Sequence, residues 1–133
     1  MSIRYVNVHE LDAVWPVASG MIKSALDTGQ GEMNEHQARY AIAKGLADLF
    51  ICENNGKITG AVLVEFQNYP NYRLANVIAT GGRDLVKEWD SFKGLLRLAG
   101  ASYVEGHCHD SVARLWESKL KMKKVYTIMR GDL

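Results

Sequence analysis

His107, Glu65 and Glu117 are the side chains of this chain whose chemistry is most usable, and each is a candidate proton acceptor. In an extended stretch Tyr103, Glu105 and His107 share one face, and histidine is the residue type most often used as a general base. The competing structural reading is a strand-end histidine bonded to backbone or water. Glu65 sits where an apolar run ends, as a base or as a charge leaving a sheet for solvent. Glu117 lies four residues before Lys121, a spacing that also suits a surface ion pair on a helix. Gly106-His107-Cys108-His109-Asp110 has the residue types of a metal site. Alternation, however, turns His107 and His109 one way and Cys108 the other, and His9 and His36 stand alone, so no metal site is expected. The same alternation places Cys108 with Val104 on the apolar face, which argues against a Cys–His nucleophile.

A second kind of chemistry is suggested by Gly81-Gly82. Arg73–Thr80 is an apolar run of strand length, and the paired glycines after it allow a sharp turn and close approach. Leu85, Trp89, Phe92, Leu96 and Ala99 then recur at helical spacing. A helix opening directly after such a turn presents free N–H groups and its positive dipole end to an anion such as a phosphate. A plain strand–turn–helix connection accounts for the same residues.

These groups must be positioned by a modest chain. Its 133 residues fit one domain, 1–133, with 47% hydrophobic and 23% charged residues. Sixteen basic and fifteen acidic residues leave a formal charge of +1, no global field for nucleic acid or a membrane surface. The run Lys119, Lys121, Lys123, Lys124 reads as a solvated helix end or a local phosphate contact. Cys52 and Cys108 are too few for a disulfide framework and suggest a reducing compartment. With no signal-like N-terminus and no spanning apolar run, the expectation is a cytoplasmic protein.

Along the chain, Ile3–Val8 suits a first strand. Leu11 to Leu26 is an amphipathic helix, which Pro16 permits only if it lies in the first turn. Asn34 and Gln37 form a capping box for a second helix with an apolar face of Ala38, Ala41, Ile42, Leu46 and Leu49. Leu49–Glu53 and Lys57–Gln67 flank Asn54-Asn55-Gly56, a hairpin signal. After the long helix, Gly100 stops it, Ser102–Cys108 is a strand, and Asp110 caps a helix facing inward with Val112, Leu115, Trp116 and Leu120. Lys123–Met129 is expected as a closing strand. The order is β-α-α-β-β-β-α-β-α-β, an α/β (α+β) fold with a central mixed, mostly antiparallel sheet flanked by four helices.

That order, over nearly the whole chain, resembles the GNAT superfamily, the Gcn5-related N-acetyltransferases. The most specific local match is Asp110-Ser-Val-Ala113-Arg-Leu-Trp116-Glu117-Ser-Lys119-Leu-Lys121-Met122, against the family's Asn-x-x-Ala-x-x-aromatic-Tyr-x-Lys-x-Gly-Phe. The resemblance implies an acetyl-CoA-dependent transfer to an amine. Its cofactor would be held by Val77, Ile78 and Ala79 of the central strand, by Gly81, Gly82 and Arg83 after it, and by Asp110 of the last helix. His107, Glu65 and Glu117 would then be the candidate catalytic bases.

The chain departs from that pattern in two places. The family's phosphate loop is Arg/Gln-x-x-Gly-x-Gly/Ala, whereas Ala79-Thr-Gly81-Gly82-Arg83-Asp84 has the parts in another order, with a carboxylate beside the diphosphate. Glu117 stands where many members carry a thiolate-protonating tyrosine. A degenerate loop of this kind is similar to that of GNAT-like internal virion proteins of short-tailed bacteriophages, which implies a contact function and a virion location. Partners would be a small-molecule or protein amine acceptor, or a protein partner if the chain is inactive, with a homodimer among the options. In the inactive case Tyr69, Tyr72 and Tyr126 are the candidates for an exposed contact patch.

Overall fold

The computed structural model describes residues 1–133. Its elements are β1 (Ser2–Tyr5), α1 (Leu11–Leu26), α2 (Glu35–Ala43), β2 (Asp48–Asn54), β3 (Lys57–Asn68), β4 (Arg73–Gly82), α3 (Trp89–Leu98), β5 (Tyr103–Gly106) and α4 (Asp110–Leu120). The sheet has the order β1-β2-β3-β4-β5. Neighbours are antiparallel except β4 and β5, which run parallel. This is the mixed, mostly antiparallel sheet with four helices that the sequence implied.

Strand alternation divides the core in two. Leu49 and Ile51 of β2, with Ala61 and Leu63 of β3, meet Val14, Trp15, Ala18 and Ile22 of α1 and Ala38 and Ile42 of α2. Their neighbours Phe50, Cys52, Val62 and Val64 face the other way, onto Trp89, Phe92 and Leu96 of α3 and Leu120 of α4. Because both faces are covered, β2 and β3 read as continuous apolar runs rather than as alternating ones.

The local signals act as their chemistry dictates. Asn34 accepts from the Gln37 N–H and Gln37 accepts from the Asn34 N–H, both at 2.9 Å. Asn55 and Gly56 both take positive φ, 53° and 74°, the conformation a two-residue hairpin turn requires.

Four expectations are corrected. Pro16 lies in the second turn of α1, not the first. The N–H it lacks would have bonded the carbonyl of Asp12, and both residues face solvent, where water can serve that carbonyl. Leu46 lies beyond α2 and is exposed. On α4, Val112 and Leu115 are also exposed, whereas Trp116 and Leu120 turn inward as expected, with Ala113 half-buried beside them. Lys123–Met129 forms no strand, and none of its residues makes a backbone–backbone hydrogen bond.

Candidate functional site

The centre of β4 is irregular. Leu63 pairs with Ala79 and Val64 with Val77, so Ile78 is an extra residue, a β-bulge. The bulge changes which way the chain faces. Ala75 and Val77 pack on the α3/α4 side, whereas Ile78 and Ala79 both pack on the α1/α2 side. Pairing with β5 ends at Val77–Gly106. From Ile78 to Gly82, β4 has β3 on one side and no strand on the other. Because β5 stops at Gly106, β4 continues past it unpaired, and a cleft lies there between β4, α4 and the α3 side.

Side chains fill that cleft. Trp116 and Leu120 of α4, with Met122 after it, meet Val77 and Thr80 of β4 and Leu85 and Trp89 from the α3 side. The space left is about 10 Å³, room for about one water. Trp116 reaches this position because Gly106 has no side chain. A Cβ on Gly106 would lie 3.0 Å from two ring carbons of Trp116 and 3.0 Å from the Val77 carbonyl oxygen.

The glycine turn is closely backed on the side a Cβ would take. A Cβ on Gly81 would fall 2.1 Å from the Met21 carbonyl oxygen of α1, and one on Gly82 2.3 Å from the Thr59 carbonyl oxygen of β3. The two glycines let the end of β4 pass between backbones, so they close space rather than open it. Helix α3 does not follow directly. A helical turn at Leu85–Glu88 intervenes, with Glu88 N–H donating to the Asp84 carbonyl at 3.0 Å, and α3 starts at Trp89. Arg83 extends its side chain into solvent.

Asp84, at φ 82°, turns inward rather than outward. Its carboxylate is nearly buried, accepts from the Thr59 hydroxyl at 2.7 Å, and lies 3.9 Å from Arg83 Nε and 4.0 Å from Lys87 Nζ. Burial, then the charges of Asp84 and Glu88, pushes the nearby Cys52 thiol up to about 11. Cys52 therefore stays protonated and inert at neutral pH.

The candidate bases are dispersed. His107 is exposed beyond the end of β5. Glu117 is exposed on α4 and makes no ion pair with Lys121, whose ammonium bonds the Ser118 carbonyl instead. Glu65 is half-buried on β3, opposite Asn76. None of the three lines the filled cleft. Asp110 is the first residue of α4 and exposed; the N-cap is His109, whose Nε2 lies 2.9 Å from the Thr28 carbonyl oxygen. Cys108 is exposed, not buried with Val104, because β5 ends at Gly106 and alternation stops there.

Two features escaped the sequence reading. Asn76 sits between Glu65 and Glu105 across three strands, and its Oδ1 is buried without a partner. A polar residue inside an apolar strand was the available signal. The Ile78 bulge had none.

Tested against these residues, a cofactor carrying a thioester arm does not fit the cleft as it stands. Trp116 and Leu120, with the other lining residues, leave about 10 Å³ there, and the Cβ side of the glycine turn is backed by α1 and β3.

No family model and no curated protein matches the sequence. Solved structures do match. A ribosomal-protein-alanine N-acetyltransferase from Brucella melitensis biovar Abortus 2308 superposes with a TM-score of 0.72 at 9% identity, over 100% of both chains. An aminoglycoside acetyltransferase, meta-AAC0020, from an uncultured soil metagenomic sample gives 0.71 at 12%, over 99% of this chain and 95% of that one. A probable acetyltransferase gives 0.70 at 11%, again over the full length of both. At such identities the likeness speaks for the fold alone. This chain has the GNAT acetyltransferase fold.

Proposed function

We propose that this chain uses the acetyltransferase fold as a scaffold for protein contact, with its cofactor cleft closed by its own side chains. The observation that carries this reading is the packing of Trp116 and Leu120 of α4 against Val77 and Thr80 of β4, which leaves about 10 Å³. The inward Asp84 carboxylate supports it, because it sets a negative charge at the turn where a diphosphate would have to lie. On this reading the protein is a phage virion or host-directed factor, located in the virion or the cytoplasm, and its partner is another protein.

A second reading is an acetyl-CoA-dependent N-acetyltransferase acting on a small-molecule or protein amine. The Ile78 bulge favours it, since β4 beyond Val77 has an edge with no strand against it. Trp116 must then swing off Gly106. Val77, Ile78, Ala79, Arg83 and Asp110 would line the opened path, and Glu65, His107 or Glu117 would take the ammonium proton.

Isothermal titration with acetyl-CoA, with CoA as control, separates the two. The contact reading expects no saturable heat and no thermal shift at millimolar ligand. Saturable binding that Arg83→Glu weakens would overturn it and establish the second.

A further inference from the structure

A second cavity lies on the α3 side of the sheet and shares no residue with the cleft at Trp116. Its volume is about 260 Å³, near the lower end of the range for ligand pockets, about 300 Å³. Phe50 of β2, Phe66 of β3 and Leu95 of α3 give it apolar walls, and Tyr5 and Ala99, both exposed, form its rim. Trp89 in the cleft and Ala99 here stand about 15 Å apart along α3, at about 1.5 Å per residue. The two spaces are separate.

Strand alternation sets an acid at one end of this cavity and a base at the other. Asp48 pairs with Val64 and Arg73 with Asn68, positions that flank Phe66 on β3, so the Phe66 ring lies between the two charges. Both line the cavity, yet none of the chain's ion pairs includes either. The Arg73 guanidinium is held in place: its Cζ stands 4.4 Å from the Phe66 ring centroid and its Nη1 donates to Asn68 Oδ1 at 2.8 Å. That is its only hydrogen bond within the chain, and its Nε is buried with no partner. Asp48 is half-buried, and burial raises its carboxyl against the opposing effects of the Tyr5 phenol and the Arg73 guanidinium. Opposite charges that are partly desolvated and do not meet cost stability. A ligand that reaches both offsets that cost.

We propose that this cavity binds a small zwitterion of the amino-acid class, its carboxylate on the Arg73 guanidinium, its ammonium on Asp48 and its side chain against Phe50, Phe66 and Leu95. A simple cation meets Asp48 but is repelled by Arg73, and a simple anion meets the reverse. Opposite charges at the two ends therefore select a molecule that carries both. Each contact is a charge-assisted hydrogen bond in a partly dry site. The apolar walls select an apolar or aromatic side chain. The inference is independent of whether the cleft at Trp116 binds acetyl-CoA.

Backbone amide shifts of the full-length chain, followed by NMR in titrations with L-leucine and L-phenylalanine at neutral pH, test it. Saturable shifts are expected at Asp48, Phe66, Arg73 and Ala99, with Gly81 and Gly82 unmoved. N-acetyl-leucine, which lacks the ammonium, and leucinamide, which lacks the carboxylate, should each bind about tenfold more weakly or worse. Asp48→Asn should weaken L-leucine binding by about the same factor, and Ala99→Phe, at the exposed rim, should block it. Both variants should keep the parent's circular dichroism. Three results overturn the proposal: no saturable shift at the cavity with either amino acid at millimolar concentration, N-acetyl-leucine or leucinamide binding as well as L-leucine, or an affinity indifferent to Asp48→Asn.

Discussion

Gly106 and Trp116 are in contact such that any side chain on the first would strike the ring of the second: a Cβ there lies 3.0 Å from Trp116 Cη2 and Cζ3. This contact ties the end of β5 to α4 and seats the indole in the cleft. Gly106→Ala must push the ring outward or strain the strand, at a cost of about 1–3 kcal/mol. Trp116→Ala, at a half-buried site, costs about 2–3 kcal/mol and leaves a void along β4. Urea denaturation measures both, and an unchanged midpoint for Gly106→Ala would show that the indole does not rest there.

A second prediction concerns Thr59 and Asp84. The Thr59 hydroxyl is the one hydrogen-bond donor within 3 Å of a nearly buried carboxylate, whose nearest cations stand 3.9 and 4.0 Å away. Thr59→Val keeps the shape and removes the donor, and is expected to cost about 1.5–3 kcal/mol. A double-mutant cycle with Asp84→Asn, a residue that also tolerates positive φ, should return a coupling of similar sign.

The two thiols should part company. Cys108 is exposed and Cys52 is buried, so iodoacetamide labels one thiol in the native protein and two in denaturant, read by intact mass. Partial burial and Asp110 raise the Cys108 thiol, so its labelling quickens as pH rises.

Cys52 also sets a pH dependence. Folded, its thiol holds the proton to about 11, against an ordinary value of 9.0. Between those values the unfolded chain binds fewer protons than the folded one, so stability falls as pH rises through the window. The loss approaches about 2–3 kcal/mol above it. Comparing Cys52→Ala with the parent isolates this from the tyrosines and lysines that titrate nearby: the difference between them should shrink with rising pH.

Asp48 behaves in the same direction at the acid end. Burial raises its carboxyl, opposed by the Tyr5 phenol and the Arg73 guanidinium. Its charged form is thus disfavoured on folding, and the stability it contributes is full below the ordinary carboxyl value and lost as pH rises through the raised one. Asp48→Asn should therefore stabilise the protein at neutral pH by up to about 1 kcal/mol, since the site is only half-buried. The gain should vanish in acid. Thermal melts at the two pH values decide it.

Much of the architecture was legible in the chain because it rests on interactions close in sequence. The Asn34–Gln37 box, the Asn55-Gly56 turn and the apolar spacing of α1 act over a few residues, so each element declared itself before any packing was known. The register between strands, the end of β5 pairing at Gly106 and the Ile78 bulge depend on residues brought together from afar. The role of Gly81 and Gly82 was decided the same way. A glycine pair before a helical pattern is compatible with an anion cradle or a tight crossing, and only the Met21 and Thr59 carbonyls beside them make it a crossing. Trp116 is the plainest case. Its helical spacing marked it as inward-facing, but whether it lines a cleft or fills one depends on how far α4 sits from β4. That distance is set by packing at Gly106 and Leu120, which no local pattern encodes.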